Sequence, residues 1–456
     1  MKIVKPFLLP SERQALIETL CKKSAAPHGA MGGAKPDGKT DTQKTWHELS
    51  PSEDRPLILY LHIPFCIAQC SFCGFYRNQT NEEAMENYTR HLLAEINRVA
   101  DEGVWTKKPV KMVYFGGGTP TALSARQLGT LISTLYSRFN IASDVEFTIE
   151  GRIYNFDDER FMSCVDSGAN RFSFGVQSFE TPLRQMLGRR NTCEELLARL
   201  ARFKELAGDK ACLVADLIYG LPGQTQEDWI EKNIKTTHLE SALDGVDLYS
   251  LKLFPGSAIN KQMESKGGNW SEEERIARHG AGADYLASMG WKQLSTTHFG
   301  RNALERNLYN HYAMAGGEMI PFGCGAGGNA GGWAMMQIGD LGEYLKAVDE
   351  GRKPLGMAME QPPAMASRIP IAAQLGYGYF NPADFKNLDY TELCANWQEA
   401  GIWTREEDGK YRLTRLGEYY QPKILSLLVG YTMANSISAS DALKMAGAKL
   451  KGLFSK

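Results

Sequence analysis

From Leu57 onward the chain alternates between two hydrophobic periods. Short runs rich in β-branched, leucine and aromatic residues are each followed by a longer stretch whose apolar positions return every three or four residues. The successive pairs are Leu57–Ile63 then Glu83–Asp101, Lys111–Phe115 then Ser124–Phe139, and Val145–Ile149 then Asp157–Gly168. Arg171–Gly175 then Cys193–Ala207, Cys212–Ile218 then Gln226–Glu240, and Asp247–Leu253 then Ser271–Met289 follow. In Ser124–Phe139 the residues Leu128, Leu131, Ile132, Leu135 and Phe139 share one face, which predicts an amphipathic helix. Six strand-then-helix units in unbroken succession predict parallel strands with right-handed crossovers. The expected fold is α/β, a partial (βα)6 barrel of the TIM type, with functional groups gathered at the carboxyl ends of its strands.

The flanks read differently. Residues 24–46 mix Gly, Ala, Pro, Lys, Asp and Thr without an apolar period and predict a linker. The expected organisation is an N-terminal extension and linker over 1–54, the barrel with a glycine-rich closing segment over 55–345, and a C-terminal accessory domain over 346–456. In that last part Glu392–Gly401 has a helical pattern, and Ile402–Thr414 predicts two short strands around Asp408-Gly409. Helix, hairpin and helix give a mainly helical, winged-helix outline.

Composition narrows the partners. The 456 residues are 43% hydrophobic, enough for a large core. Lys plus Arg number 51 and Asp plus Glu 53, so no whole-chain basic field favours nucleic acid. No apolar run is long enough to cross a bilayer, and the first residues lack a signal-peptide core, so a cytoplasmic protein is expected. Nine cysteines, three of them clustered, fit a metal or cluster site in a reducing compartment better than a disulfide scaffold.

The clustered thiols are Cys66, Cys70 and Cys73, spaced C-x3-C-x2-C directly after the first strand. Three thiolates at this spacing suit three corners of a [4Fe–4S] cluster and leave the fourth iron open. A structural zinc ion would want a fourth nearby ligand, and the next cysteine, Cys164, is far downstream. Other unusual residues fall after the following strands. Gly116-Gly117-Gly118-Thr119-Pro120 offers backbone that can approach a ligand, or simply a tight turn. Glu150 could accept from an ammonium group or cap a helix, and Gln177 follows the fourth strand. Asp216, inside Val214–Ile218, needs a hydrogen-bonding or charged partner if buried.

Taken in order, Cys66–Cys73, Gly116–Pro120, Glu150, Arg171–Phe179 and Asp216–Thr225 resemble the radical S-adenosylmethionine (SAM) superfamily, over roughly residues 55–345. More narrowly they resemble the branch containing oxygen-independent coproporphyrinogen III dehydrogenase. The resemblance implies a [4Fe–4S] cluster on Cys66, Cys70 and Cys73 that cleaves SAM to methionine and a 5′-deoxyadenosyl radical. It implies a first SAM held by Tyr60, Gly117, Glu150, Gln177, Arg189 and Asp216, and a second beside Phe72, Gly118 and Thr119. It also places Asn329 and the backbone around it near SAM, and makes the C-terminal domain a lid or accessory element.

Within the branch, the dehydrogenase carries a further cysteine two residues after the last cluster ligand, where this chain has Phe75. Heme-trafficking members carry a His-Asn…Tyr-Trp stretch, where this chain reads Arg306-Asn307-Leu308-Tyr309-Asn310-His311-Tyr312. Glu150-Gly151-Arg152, Thr297-His298-Phe299, Arg306–Asn310 and Pro321–Gly328 most resemble the anaerobic heme-degrading methyltransferases, the anaerobilin synthases. That resemblance implies heme as substrate, a low-potential electron donor such as flavodoxin, and a heme or tetrapyrrole carrier. It leaves a porphyrinogen dehydrogenase and a non-catalytic heme chaperone as alternatives. Arg152 is the candidate partner of a propionate, and His298 and His311 are candidate iron ligands, with Cys324 and Met335-Met336 further candidates. Gly316–Gly332, with eight glycines, is expected to lie flat against a bulky ligand.

Overall fold

The computed structural model describes residues 40–74, 78–254, 257–266, 270–361, 368–385 and 388–436, so Phe75 and residues 1–39 lie outside the described residues. They fall into two compact units divided between Gln361 and Pro362.

In the larger unit seven strands run parallel, in the order β8-β1-β2-β3-β4-β5-β6: β1 (Leu57–Ile63), β2 (Val110–Gly117), β3 (Ile141–Gly151), β4 (Arg171–Gln177), β5 (Cys212–Tyr219), β6 (Gly245–Ser250) and β8 (Glu318–Phe322). The sheet does not close. Antiparallel β7 (His298–Gly300) and Lys292–Gln293 extend one edge; β9 (Gly327–Ala330), β10 (Trp333–Gln337) and β11 (Leu355–Glu360) extend the other. This is the expected partial barrel, with a seventh parallel strand that returns beside β1.

The crossover helices begin where the sequence caps them. Helix α3 (Ala125–Arg138) starts at a Ser124/Gln127 capping box, α6 (Cys193–Ala207) at Thr192/Glu195 and α7 (Glu272–Ser288) at Ser271/Glu274. Each satisfies orphan amides that would otherwise fray the first turn. Helices α2 (Glu82–Asp101), α4 (Asp158–Asp166) and α5 (Thr181–Met186) complete the set used below. The predicted helix 226–240 carries a π-helical turn at Trp229–Ile234, which brings Trp229, Asn233 and Ile234 to one buried face.

Two expected boundaries move. The region read as linker contains α1 (Thr42–Glu48), whose Trp46 is buried and tilted against Trp105, 6.0 Å between centroids. Position 345 falls inside the helix Leu341–Asp349, and β11 beyond it still belongs to the main sheet. The two segments meet: Thr42 Oγ1 donates to the Leu355 carbonyl at 3.3 Å and Gln43 Nε2 to the Lys353 carbonyl at 2.7 Å, while β11 pairs antiparallel with β10.

The smaller unit contains the helix Thr391–Glu399 and a three-stranded sheet of Tyr379–Phe380, Trp403–Arg405 and Tyr411–Leu413. The Asp-Gly hairpin thus forms where predicted, with Gly409 at φ +86°.

Candidate active site

The loop leaving β1 carries the three thiols at the carboxyl rim. Its first turn is anchored by pairing of Phe65 with Asn78 and Cys66 with Gln79, and later by the Cys73 amide donating to the Cys70 carbonyl, 3.2 Å. Cys66 and Cys70 are buried and Cys73 is half-buried; none forms a disulfide. The Thr119 hydroxyl donates to Cys66 Sγ at 3.4 Å, and the Arg152 guanidinium donates to Cys70 Sγ and to the Ala68 carbonyl. Burial pushes the Cys66 thiol up, against the lowering pull of Thr119 and Arg152. Among the described residues no three His, Cys, Asp or Glu side chains converge as around one ion. Three thiols on the one loop after β1, two of them held by donors, fit three corners of a [4Fe–4S] cluster.

The glycines after β2 are required sterically. Gly117 has φ +111°, and a Cβ there would lie 2.7 Å from the His62 ring; one on Gly118 would lie 2.6 Å from the Phe65 carbonyl. Close contact here holds β2 against the root of the thiol loop. The Gly118 amide donates to the Ile63 carbonyl at 2.8 Å and the Gly117 amide serves Glu150, so both are spent within the protein. Burial raises the Glu150 carboxyl to about 7, although the Tyr114 hydroxyl and the Gly117 amide pull it down.

Inward-facing positions near the strand ends stay partly accessible while their neighbours are buried: Tyr60 and His62 on β1, Tyr114 on β2, Glu150 on β3, Gly175 on β4 and Asp216 on β5. They outline a polar lumen walled on one side by tyrosines. Tyr60 and Tyr114 stack at 6.2 Å, and Tyr309 lies over Tyr114 at 4.2 Å. The Tyr60 hydroxyl is 3.1 Å from His62 Nδ1. Burial, then Asp247 and Glu150, raises the Asp216 carboxyl well above its ordinary value. Asp216 stands in register with Asp247 of β6. A carboxylate so placed needs a donor from a ligand, such as a ribose hydroxyl.

Gln177 ends β4 in the left-handed region at φ +70°. Its amide nitrogen and Arg189 Nη2 lie 2.6 and 3.0 Å from where a Cβ on Gly175 would stand, so the two side chains converge over that glycine. Among the described residues Arg189 Nε is buried with no hydrogen-bond partner, a donor that suits a carboxylate. Arg189 also lies 5.9 Å from the centre of the Phe72 ring, which packs against Leu183, Leu187, Ile218 and Leu251. The donor set therefore fits SAM: orphan Arg189, unmet Asp216, Glu150 for an ammonium, and backbone that only glycine allows.

Other sequence candidates lie elsewhere. His298 is fully buried, with Nδ1 2.7 Å from Asp247 Oδ2 and Nε2 3.1 Å from Glu305 Oε1, which leaves no nitrogen for heme iron. Asn329 is in register with Met319 near the amino end of β8, and its Nδ2 donates to the Gly317 carbonyl at 3.0 Å, on the side away from the thiols. Arg152 is committed to the thiol loop rather than presented to a propionate. His311 Nε2 lies 3.0 Å from the Leu294 carbonyl. Gly316–Gly332 forms β8, β9 and tight turns rather than a flat platform. The Gly323 amide there donates to Glu95, and the Cys324 amide to the Tyr88 hydroxyl, which in turn donates to the His62 carbonyl. Cys324 and Met335 are buried in this hairpin region, and Met336 is exposed.

Sequence reading missed the charged floor of the lumen. Glu305 inserts against Gly245, where a Cβ would meet its Cγ at 2.8 Å, and pairs with Arg171 at 2.9 Å as well as with His298. Period-two alternation in β3 and β4 could have flagged Glu146 and Arg171 as inward charges; nothing in the loop sequence marks Glu305.

Residues 60–232 match the family described as the Radical SAM superfamily. The chain is 36% identical over 411 residues to anaerobilin synthase of Escherichia coli O157:H7, covering 87% of this chain and 89% of that protein. It is 31% identical over 295 residues to the heme chaperone HemW of Lactococcus lactis, covering 64% and 75%. The solved structure of coproporphyrinogen III oxidase (HemN) from Escherichia coli superposes with a TM-score of 0.74 over 92% of this chain and 98% of that one, at 20% identity, a likeness of fold. The chain belongs to the radical SAM superfamily, in the branch that holds coproporphyrinogen III oxidase, HemW and anaerobilin synthase.

Proposed function

We propose that this chain is a radical SAM C-methyltransferase acting on heme, opening the porphyrin anaerobically to a linear tetrapyrrole and releasing iron. The observation that carries this reading is the 36% identity to anaerobilin synthase along 87% of the chain, far beyond the 60–232 segment that the superfamily has in common. When bound, the [4Fe–4S] cluster and SAM supply the reducing electron and the transferred carbon.

The protein's own groups divide the work. Cys66, Cys70 and Cys73 hold the cluster, and Thr119 and Arg152 steady two of the thiolate sulfurs. Arg189 takes the SAM carboxylate, Glu150 its ammonium and Asp216 its ribose hydroxyls, with Gln177 beside Arg189 and Tyr60 and Gly117 completing the wall. Phe72 and the Gly118–Thr119 backbone would hold a second SAM. The stacked Tyr60, Tyr114 and Tyr309 offer a flat aromatic face to a macrocycle. Such a cluster would take its electron from a low-potential donor such as flavodoxin, and a carrier would receive the tetrapyrrole.

The 31% identity to HemW supports a second reading, a heme chaperone without turnover. Phe75, standing where the resemblance calls for a thiol, speaks against oxidative decarboxylation. One experiment separates all three. Reconstituted protein is incubated anaerobically with SAM and dithionite, with heme in one arm and coproporphyrinogen in the other, and pigment absorbance and mass are followed. Loss of the Soret band with a pigment heavier by about a methyl group than the iron-free porphyrin supports methyl transfer, ring opening and iron release. An intact Soret band points to the chaperone; conversion of coproporphyrinogen to a lighter product points to the oxidase.

A further inference from the structure

The left-handed residue at the end of β4 is held from both sides. On one side, Asn233, fully buried in the π-helical turn, accepts from the Ser178 hydroxyl at 2.8 Å and the Phe179 amide at 2.9 Å. Its own amide donates to Glu180 Oε1 at 3.0 Å and to the Asp228 carbonyl at 3.2 Å. On the other, Arg184 of α5, also buried, donates from Nη1 to the Val176 and Ser178 carbonyls, both at 2.9 Å, and from Nε to the Asn191 carbonyl. The backbone carbonyls before and after Gln177 and the amide two residues on are thus tied to two side chains.

The tie matters because Gln177 departs from the regular strand. The β4–β5 register shifts between Phe174 and Gln177, and φ at Gln177 is +70°. An unclamped glutamine would relax toward extended backbone and swing its side chain away, since left-handed backbone is costly for a residue with a Cβ. Clamped, it folds back over Gly175 beside Arg189. The π-turn has a corresponding purpose: i→i+5 turns are rare and concentrate at functional sites, and here the widened turn brings Asn233 to the buried face.

We infer that Asn233 and Arg184 are positioning residues for SAM binding, which hold the backbone around Gln177 in a left-handed turn and so aim its amide into the cofactor site next to Arg189. The inference rests on the reading of Gln177 as a SAM contact, and the test separates the two.

Four anaerobically reconstituted holoproteins are compared: wild type, Asn233→Leu, Gln177→Ala and the double variant. The SAM dissociation constant is read from the change in the reduced cluster's EPR spectrum, and a melting temperature is taken for each. The clamp predicts that Asn233→Leu weakens SAM about tenfold when Gln177 is present and less than about twofold when it is alanine. A merely structural asparagine would lower the melting temperature in both backgrounds and change SAM affinity by the same factor in each; that result overturns the inference. If Gln177→Ala binds SAM as tightly as wild type, the Gln177 assignment and the clamp fall together. If it weakens binding but the two effects multiply, the clamp alone falls. Should Asn233→Leu not fold, Ser178→Ala removes one link of the same chain and enters the same two-background comparison.

Discussion

Replacing His298 by glutamine tests whether the charged floor of the lumen is structural. His298 is fully buried between Asp247 and Glu305, at 2.7 and 3.1 Å. Burial alone would pull its pKa down, but the two carboxylates overrule burial and hold it at about 10, against 6.5 for the free side chain. A raised pKa means that the folded state binds the proton more tightly. The stabilisation is therefore complete below about pH 6.5 and is lost as pH climbs through 10. At 1.36 kcal/mol per unit, the shift is worth about 5 kcal/mol as an upper bound. His298→Gln keeps one donor but loses the charge. Arg171 still neutralises Glu305, so the uncompensated group is Asp247. Breaking one side of a buried pair costs about 3–5 kcal/mol, which lowers the melting temperature at pH 7 on the order of 5–10 °C. Thermal melts of both proteins at pH 7 and pH 10 provide the assay. The gap between them should narrow at pH 10, where wild type loses the same charge. A melting temperature unchanged at both pH values, with heme binding weakened instead, would refute the argument and return His298 to the role of iron ligand.

Three further outcomes are expected. Cys66→Ala, Cys70→Ala and Cys73→Ala should each abolish 5′-deoxyadenosine formation while far-ultraviolet dichroism stays that of wild type; deoxyadenosine from any of them removes that thiol from the ligand set. Gly117→Ala combines left-handed backbone with a Cβ 2.7 Å from the His62 ring, whereas Gly103→Ala meets left-handed backbone at φ +71° with no atom within 4 Å. Urea unfolding should show the first losing clearly more than the second, about 1 kcal/mol for the open site, and equal losses would contradict the steric account. Glu150 is raised from 4.5 to about 7, so ionising it in the fold costs stability as pH rises across that window, about 3 kcal/mol in all. SAM-free Glu150→Gln should therefore gain on wild type between pH 5 and pH 8 in chemical denaturation, and a constant difference across the two pH values would exclude a buried ionisable carboxyl.

The sequence by itself determined the alternation of strands and helices and the thiol triplet at the first rim. These are local: period and ligand spacing act within a few residues. It also placed Gly117, Glu150, Gln177 and Asp216 at strand ends, because parallel strands present their carboxyl ends together. Only the tertiary structure decided which charges meet. Glu305 reaches Arg171 and His298 because the loop after β7 turns beneath Gly245, and Asp247 faces Asp216 because β5 and β6 pair in that register. The same long-range pairing turned Asn329 away from the rim, drew Arg152 onto the thiol loop and carried the main sheet out to β11. A side chain's partner across a sheet is fixed by register between segments tens to hundreds of residues apart, and no local pattern records it.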